Sequence, residues 1–236
     1  MFKQNQWIIF FCLAFYGVIV NAAPKSIQLE YDLKRDGKLF AKVVENYSQE
    51  GDQYKIESIT KGVGVYALLG ERKLLSNGSV TKSGLKPKHF ELHQGNNQRK
   101  SLITDFDWDK NTLNMQVKGA IKTAVLEKGT QDLLSYAYQF MFAQPTKARA
   151  GETINVTLTT GKKLNHYQYK IIARDLKLNA AGKDFKTLHI ANASVDSTDK
   201  KEVWLAKDQN YLPIQYNLTD EDGANFEQIL TKIHVE

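Results

Sequence analysis

The chain has 236 residues but only one cysteine, four prolines, three methionines and three tryptophans. One thiol, Cys12, gives no internal disulfide, so the fold must rest on burial rather than on cross-links. Few prolines, 15 glycines and no low-complexity tract exclude a collagen-like or proline-rich disordered chain. There is no G-x-S-x-G elbow and no helical H-E-x-x-H, so two common hydrolase signatures are missing. The net charge is +6, yet the basic residues come as scattered doublets such as Lys34-Arg35, Arg72-Lys73 and Lys162-Lys163. Without a block of five or six, this dispersed excess argues for solubility and weak attraction to anionic surfaces, and against a nucleic-acid-binding tail.

What is present begins with an export signal. Lys3 supplies a short positive region, Trp7 to Val20 is an uncharged apolar run, and Val20-Asn21-Ala22 ends it with small residues. The run is short for a membrane span, so residues 1–22 are predicted to be a signal peptide cleaved after Ala22. Cleavage removes Cys12 and leaves residues 23–236 as one exported domain, destined for the periplasm. With 42% hydrophobic residues, that length suffices for a substantial core.

Strand signals dominate the mature chain. Ile27 to Leu33 alternates apolar and polar residues, Asp36-Gly37 is a hairpin signature, and Phe40 to Ser48 and Tyr54 to Thr60 continue a meander. Short strand patterns recur at 88–93, 102–108, 112–117, 152–159, 163–173, 185–191, 202–205, 212–218 and 226–235. Two segments depart. Gln131 to Phe142 reads as the main α-helix, capped by Thr130, with Asp132 in its first turn and Leu133, Leu134, Ala137, Phe140 and Met141 on one face. Gly62 to Gly70 reads as a short apolar bend that buries Val65, Leu68 and Leu69. The expected fold is mainly β: a single domain of curved antiparallel sheet, open-barrel or sandwich-like, with that helix packed on it.

Each motif with possible chemistry has a plainer reading that weighs more. Gly62-Val63-Gly64-Val65-Tyr66-Ala67 matches a loose dinucleotide loop, but Gly70 ends the segment within a turn and no parallel βαβ unit surrounds it. Asp105 to Asn111 alternates oxygen ligands, but an EF-hand needs Gly and Glu where Lys110 and Gln116 stand, so a hairpin turn fits better. His89, Glu91 and His93 share one strand face and can chelate zinc in principle; a solvated polar face is the stronger reading, and no metal or cofactor is expected.

Several stretches taken together resemble the exported proteins grouped as DUF3108. They are Tyr31-Asp32-Leu33 with Asp36-Gly37, the Gly62-to-Gly70 bend, Gly84-Leu85-Lys86-Pro87, Phe106-Asp107-Trp108, Gln131 to Ser135, and Trp204-Leu205-Ala206 with Leu212-Pro213-Ile214. That resemblance implies an envelope protein but no activity. A fainter, fold-level likeness is to lipoprotein-localisation carriers of the LolA/LolB type, in which a Trp-containing strand, a turn and a Leu-Pro strand recur and acyl chains are held beside a curved sheet.

The leading expectation is a non-enzymatic periplasmic protein that binds an apolar or amphipathic ligand such as a lipid or acyl chain. Tyr66, Leu69, Trp108, Tyr136, Phe140 and Trp204 are the lining candidates, although aromatic residues fill cores by default. Peripheral contact with a membrane surface belongs to the same reading. An envelope assembly factor acting through protein–protein contacts is the second expectation, and a metal-dependent hydrolase using His89, Glu91 and His93 the third.

Overall fold

Alternation along the chain sends every second side chain to one sheet face, and here that face is apolar over most strands. The computed structural model describes residues 23–95, 101–145, 149–192, 200–220 and 222–236; the predicted signal peptide and Cys12 lie outside the described residues. The first eight strands are β1 (Ser26–Arg35), β2 (Lys38–Glu50), β3 (Gln53–Gly62), β4 (Arg72–Thr81), β5 (Gly84–Gln94), β6 (Leu102–Asp107), β7 (Thr112–Val117) and β8 (Ala120–Val125). The other seven are β9 (Gln131–Asp132), β10 (Thr153–Thr159), β11 (Leu164–Ala180), β12 (Lys183–Asn192), β13 (Lys200–Ala206), β14 (Leu212–Thr219) and β15 (Asn225–Val235).

All fifteen join one sheet, in the order β8-β7-β6-β5-β4-β3-β2-β1-β15-β14-β13-β12-β11-β10-β9. It consists of two meanders, β1–β8 and β10–β15, joined where β1 pairs antiparallel with β15. Short turns set the registers. Asp36 and Gly37 both have positive φ and connect Arg35 to its partner Lys38, the two-residue turn whose twist matches a hairpin. Lys118-Gly119 and Ala181-Gly182 repeat that geometry between β7 and β8 and between β11 and β12.

The mostly-β, single-domain expectation holds, but its shape requires correction. The sheet is open: β8 and the two-residue β9 are its ends, and they do not pair with each other. Among the described residues no barrel forms, and because the β1–β15 ladder fuses the two meanders into one sheet, there is no second sheet to make a sandwich. The helix also shrinks. Residues Gln131 and Asp132 pair with β10 as the sheet's one parallel ladder, α1 covers only Ser135–Tyr138, and Gln139–Met141 tightens into a 3-10 turn. Asp132 rather than Thr130 ties the helix start. Its carboxylate accepts the N–H groups of Leu134 and Ser135 at 2.9 Å each, while its own N–H donates to Ser135 Oγ.

This short segment lies on the apolar face and links strands far apart in the sheet. Tyr138 stacks on Tyr47 of β2 with ring centroids 5.7 Å apart, the Leu85 N–H of β5 donates to Gln139 Oε1, and Ser76 of β4 donates to Asp132. The largest buried cluster runs from Ile27, Leu29 and Tyr31 through Ile56, Phe90 and Leu113 to Leu212, Ile214 and Leu230. A second gathers Phe140 with Tyr169, Ile171, Leu188, Ile190 and Leu205.

The Gly62-to-Gly70 bend is a 3-10 turn over Gly64–Leu69 between antiparallel β3 and β4, the context of a connector and not of a dinucleotide loop. Glycine is required at 62, because a Cβ there meets the Tyr66 carbonyl at 2.2 Å. The turn does not bury its apolar side chains as expected: Val65 is 76%, Leu68 90% and Leu69 60% exposed. With their own turn facing outward, nothing in the described residues covers them.

Candidate functional site

The inward positions of β2 read Ala41, Val43, Glu45 and Tyr47, so a carboxylate stands in an apolar series. Across the ladder Glu45 faces Ser58, Val43 faces Thr60, and Thr60 in turn faces Arg72 on β4. One patch of the sheet therefore places a carboxyl, two hydroxyls and a guanidinium among Val43, Leu74 and Leu33.

Glu45 is buried, accepting a hydrogen bond from Tyr138 Oη at 3.1 Å and one from Ser58 Oγ at 3.3 Å. Loss of hydration raises its pKa to about 7, and the two hydrogen bonds and the Arg72 charge only partly oppose that rise. Burial in turn lowers Arg72, while Glu45 supports its charge through space. Among the described residues no acceptor lies within hydrogen-bond or ion-pair reach of the Arg72 guanidinium. The neighbouring surface cations Lys61 and Lys73, by contrast, both hold Glu71, at 2.9 and 3.1 Å.

Two cavities meet at this patch. The larger has a volume of about 860 Å³ and the smaller about 440 Å³, both within the range of small-molecule sites. They share Leu33, Thr60, Arg72, Thr160 and Gln228 as lining, so Arg72 stands at their junction. The larger opens beside Phe40, Tyr66 and Leu69 and carries Arg72, Lys118 and Lys162 with no carboxylate. The smaller runs under α1 between Glu45, Leu133, Tyr136, Leu158 and Tyr216. Burial, followed by the charges of Tyr169, Glu45 and Tyr167, holds the Tyr136 phenol well above its ordinary pKa, so it is a neutral group at any physiological pH.

The sequence-predicted lining residues divide between cavity and core. Tyr66 and Leu69 line the larger cavity and Tyr136 the smaller. The other three line neither. Trp108 donates its indole N–H to the Pro87 carbonyl at 2.6 Å and stacks beside Phe106. Phe140 sits in the second core cluster, and Trp204 is buried with its ring stacked on His189 at 4.1 Å. Sequence reasoning missed Glu45 and Arg72. For Glu45 the signal was a charged residue at an inward position of the predicted Phe40–Ser48 strand; for Arg72 there was none, because β4 was not read as a strand.

The other candidates form closed polar networks. Glu91 bridges His89 and His93 at 2.7 Å each, and the remaining ring nitrogens of the two histidines meet Asp105 and Ser101. Desolvation pulls His89 down, but the bonds to Glu91 and Asp105 outweigh it and raise its pKa. Among the described residues no group of three or more His, Cys, Asp or Glu is arranged to hold a metal ion. Asp107 accepts the Lys110 N–H at 3.0 Å, which makes the Asp105–Asn111 stretch a hairpin turn.

The open sheet carries two adjoining, partly open cavities of ligand size, which makes this a β-rich protein with a candidate binding cleft. The chain belongs to the family described as a protein of unknown function (DUF3108), whose model matches residues 30–231. No curated protein matches the chain. The lipoprotein-carrier likeness gains no support from the architecture, since a fifteen-stranded open sheet with a four-residue helix is not a sheet folded around helices.

Proposed function

We propose that this protein is exported and, without catalysing a reaction, holds an apolar or amphipathic ligand, a lipid or acyl chain, in the two joined cavities. The observation that carries this reading is the cavity pair itself, with many apolar and aromatic side chains in its walls, Arg72 where the two meet, Glu45, Lys201 and Glu202 in the smaller and Lys118 and Lys162 in the larger. Such a space suits a molecule with a long apolar body and one polar group. Each methylene taken from water contributes about 0.8 kcal/mol, so an acyl chain is retained without covalent chemistry. The exposed lip of Val65, Leu68 and Leu69 adjoins the larger opening and offers an apolar surface for a ligand arriving from a membrane or another protein. Export rests on the pattern of residues 1–22.

The test is purification from the envelope fraction of the native host, N-terminal sequencing, and solvent extraction followed by mass spectrometry. A start near Ala23 and a stoichiometric extracted lipid are expected. A start at Met1 on membrane-embedded protein refutes the cleaved signal peptide and makes the protein membrane-anchored. An empty extract, together with no saturable binding of a hydrophobic fluorescent probe, refutes the ligand-binding reading.

One observation favours a second reading. The edge strand β8 exposes Ile121 and Val125 at 72% and 73%, and an unpaired edge with apolar side chains accepts an added strand. An assembly factor using that edge brings down a protein instead of a lipid in the same purification.

A further inference from the structure

The geometry points to a long-chain fatty acid as the ligand, its carboxylate bound by Arg72 where the two cavities meet. This rests on the ligand-binding reading above and specifies the head group. Arg72 lines both cavities, and its fork of donors has no acceptor within reach among the described residues. Arg72 is half-buried, and a partly desolvated guanidinium without a protein acceptor gains from a carboxylate, which meets it with two parallel hydrogen bonds. The surrounding charge has the same sign preference: the larger cavity carries Arg72, Lys118 and Lys162 and no acidic residue.

Glu45 selects for the size of that charge. It lines the smaller cavity on the same sheet face and acts on Arg72 through space, without an ion-pair contact. A monoanionic head neutralises Arg72 and adds one negative charge beside Glu45. A phosphate dianion adds two in the same low-dielectric space, where like charges repel strongly. The Glu45 carboxyl is occupied by Tyr138 and Ser58, so it does not itself displace the ligand from Arg72. Apolar side chains on either side of Arg72, Leu92 and Leu102 in one cavity and Leu133 and Leu158 in the other, give the chain apolar surface to lie against from this anchor.

The experiment is calorimetric or fluorescence-displacement titration of delipidated mature protein with palmitate, hexadecanol and hexadecyl phosphate, which share one chain length. The parent is expected to bind palmitate at least tenfold more tightly than either of the others. Arg72→Gln is expected to abolish that preference, and Arg72→Lys to restore part of it. Equal binding of palmitate and hexadecanol by the parent overturns the head-group assignment but leaves the cavity reading standing, and that comparison needs no variant. A palmitate preference that survives in folded Arg72→Gln, or tightest binding of the phosphate, also overturns it. Binding of none of the three overturns both readings at once.

Discussion

Glu45→Gln is expected to stabilise the protein in a pH-dependent way. Glutamine keeps the size of the side chain and an acceptor for Tyr138 or Ser58 but carries no charge. The Glu45 carboxyl has a pKa of about 7 in the fold against an ordinary 4.5, because burial disfavours the ionised form more than its hydrogen bonds and Arg72 favour it. A group whose folded pKa lies above its unfolded pKa binds more protons in the native state, so its contribution is fully present below pH 4.5 and is lost as pH rises to about 7. At about 1.4 kcal/mol per pH unit, the loss across that window is roughly 3 kcal/mol. In a chain of this size, that is roughly 6–12 °C in Tm. Urea unfolding of ligand-free parent and variant at intervals from pH 4 to pH 9 isolates the effect, since every other titrating group is common to both. The difference in unfolding free energy, variant minus parent, should rise by about 3 kcal/mol with pH and level off above 7. A difference that stays flat across the range refutes the reasoning and makes Glu45 a hydrated carboxylate.

Two further substitutions test the packing around the site. Trp204→Ala removes a buried ring stacked on His189 and should cost about 3–5 kcal/mol in urea unfolding; an unchanged midpoint places the ring at the surface. Asp132→Ala strips the acceptor from the Ser76 hydroxyl and from two backbone N–H groups, for a loss of roughly 3 kcal/mol or more. Asp132→Asn keeps an acceptor and should recover most of that loss, and equal losses in the two variants exclude the hydrogen-bonding role.

Alternation made most strands legible, and the Asp36-Gly37 turn was readable from its two residues alone. What alternation hid was β4. Its inward series runs Arg72, Leu74 and Ser76, and two polar members erase the period-2 pattern. The same cause hid the site, because Glu45 and Arg72 look like ordinary surface charges until the ladder shows which way they face. The helix was over-read for a different reason. Leu133, Leu134, Ala137, Phe140 and Met141 fit a helical stripe, but Gln131 and Asp132 gain more by pairing with β10, and four residues of α-helix already put the apolar groups against the sheet. The lip was misjudged because an apolar bend needs a surface to bury against, and local sequence does not say whether one is there. Nor does it say where a ladder stops, which is what decided between an open sheet and a closed one.

Glu45 and Arg72 also discriminate between a core and a binding space. A charge inside a protein is tolerated as a closed pair whose remaining hydrogen-bonding groups are satisfied, because only then does mutual attraction offset desolvation. The surface network of Lys61, Glu71 and Lys73 is closed in that sense, although it is exposed and little is at stake in it. Glu45 and Arg72 are the reverse. They lie on neighbouring ladders of one face, Glu45 buried and Arg72 half-buried, yet they do not touch, and both cavities reach Arg72. If stability were their only role, apolar side chains of similar size at both positions would serve better. The arrangement fits a face that is incomplete until something enters: the carboxyl held by Tyr138 and Ser58, the guanidinium left open toward the cavities, and apolar walls on either side of it.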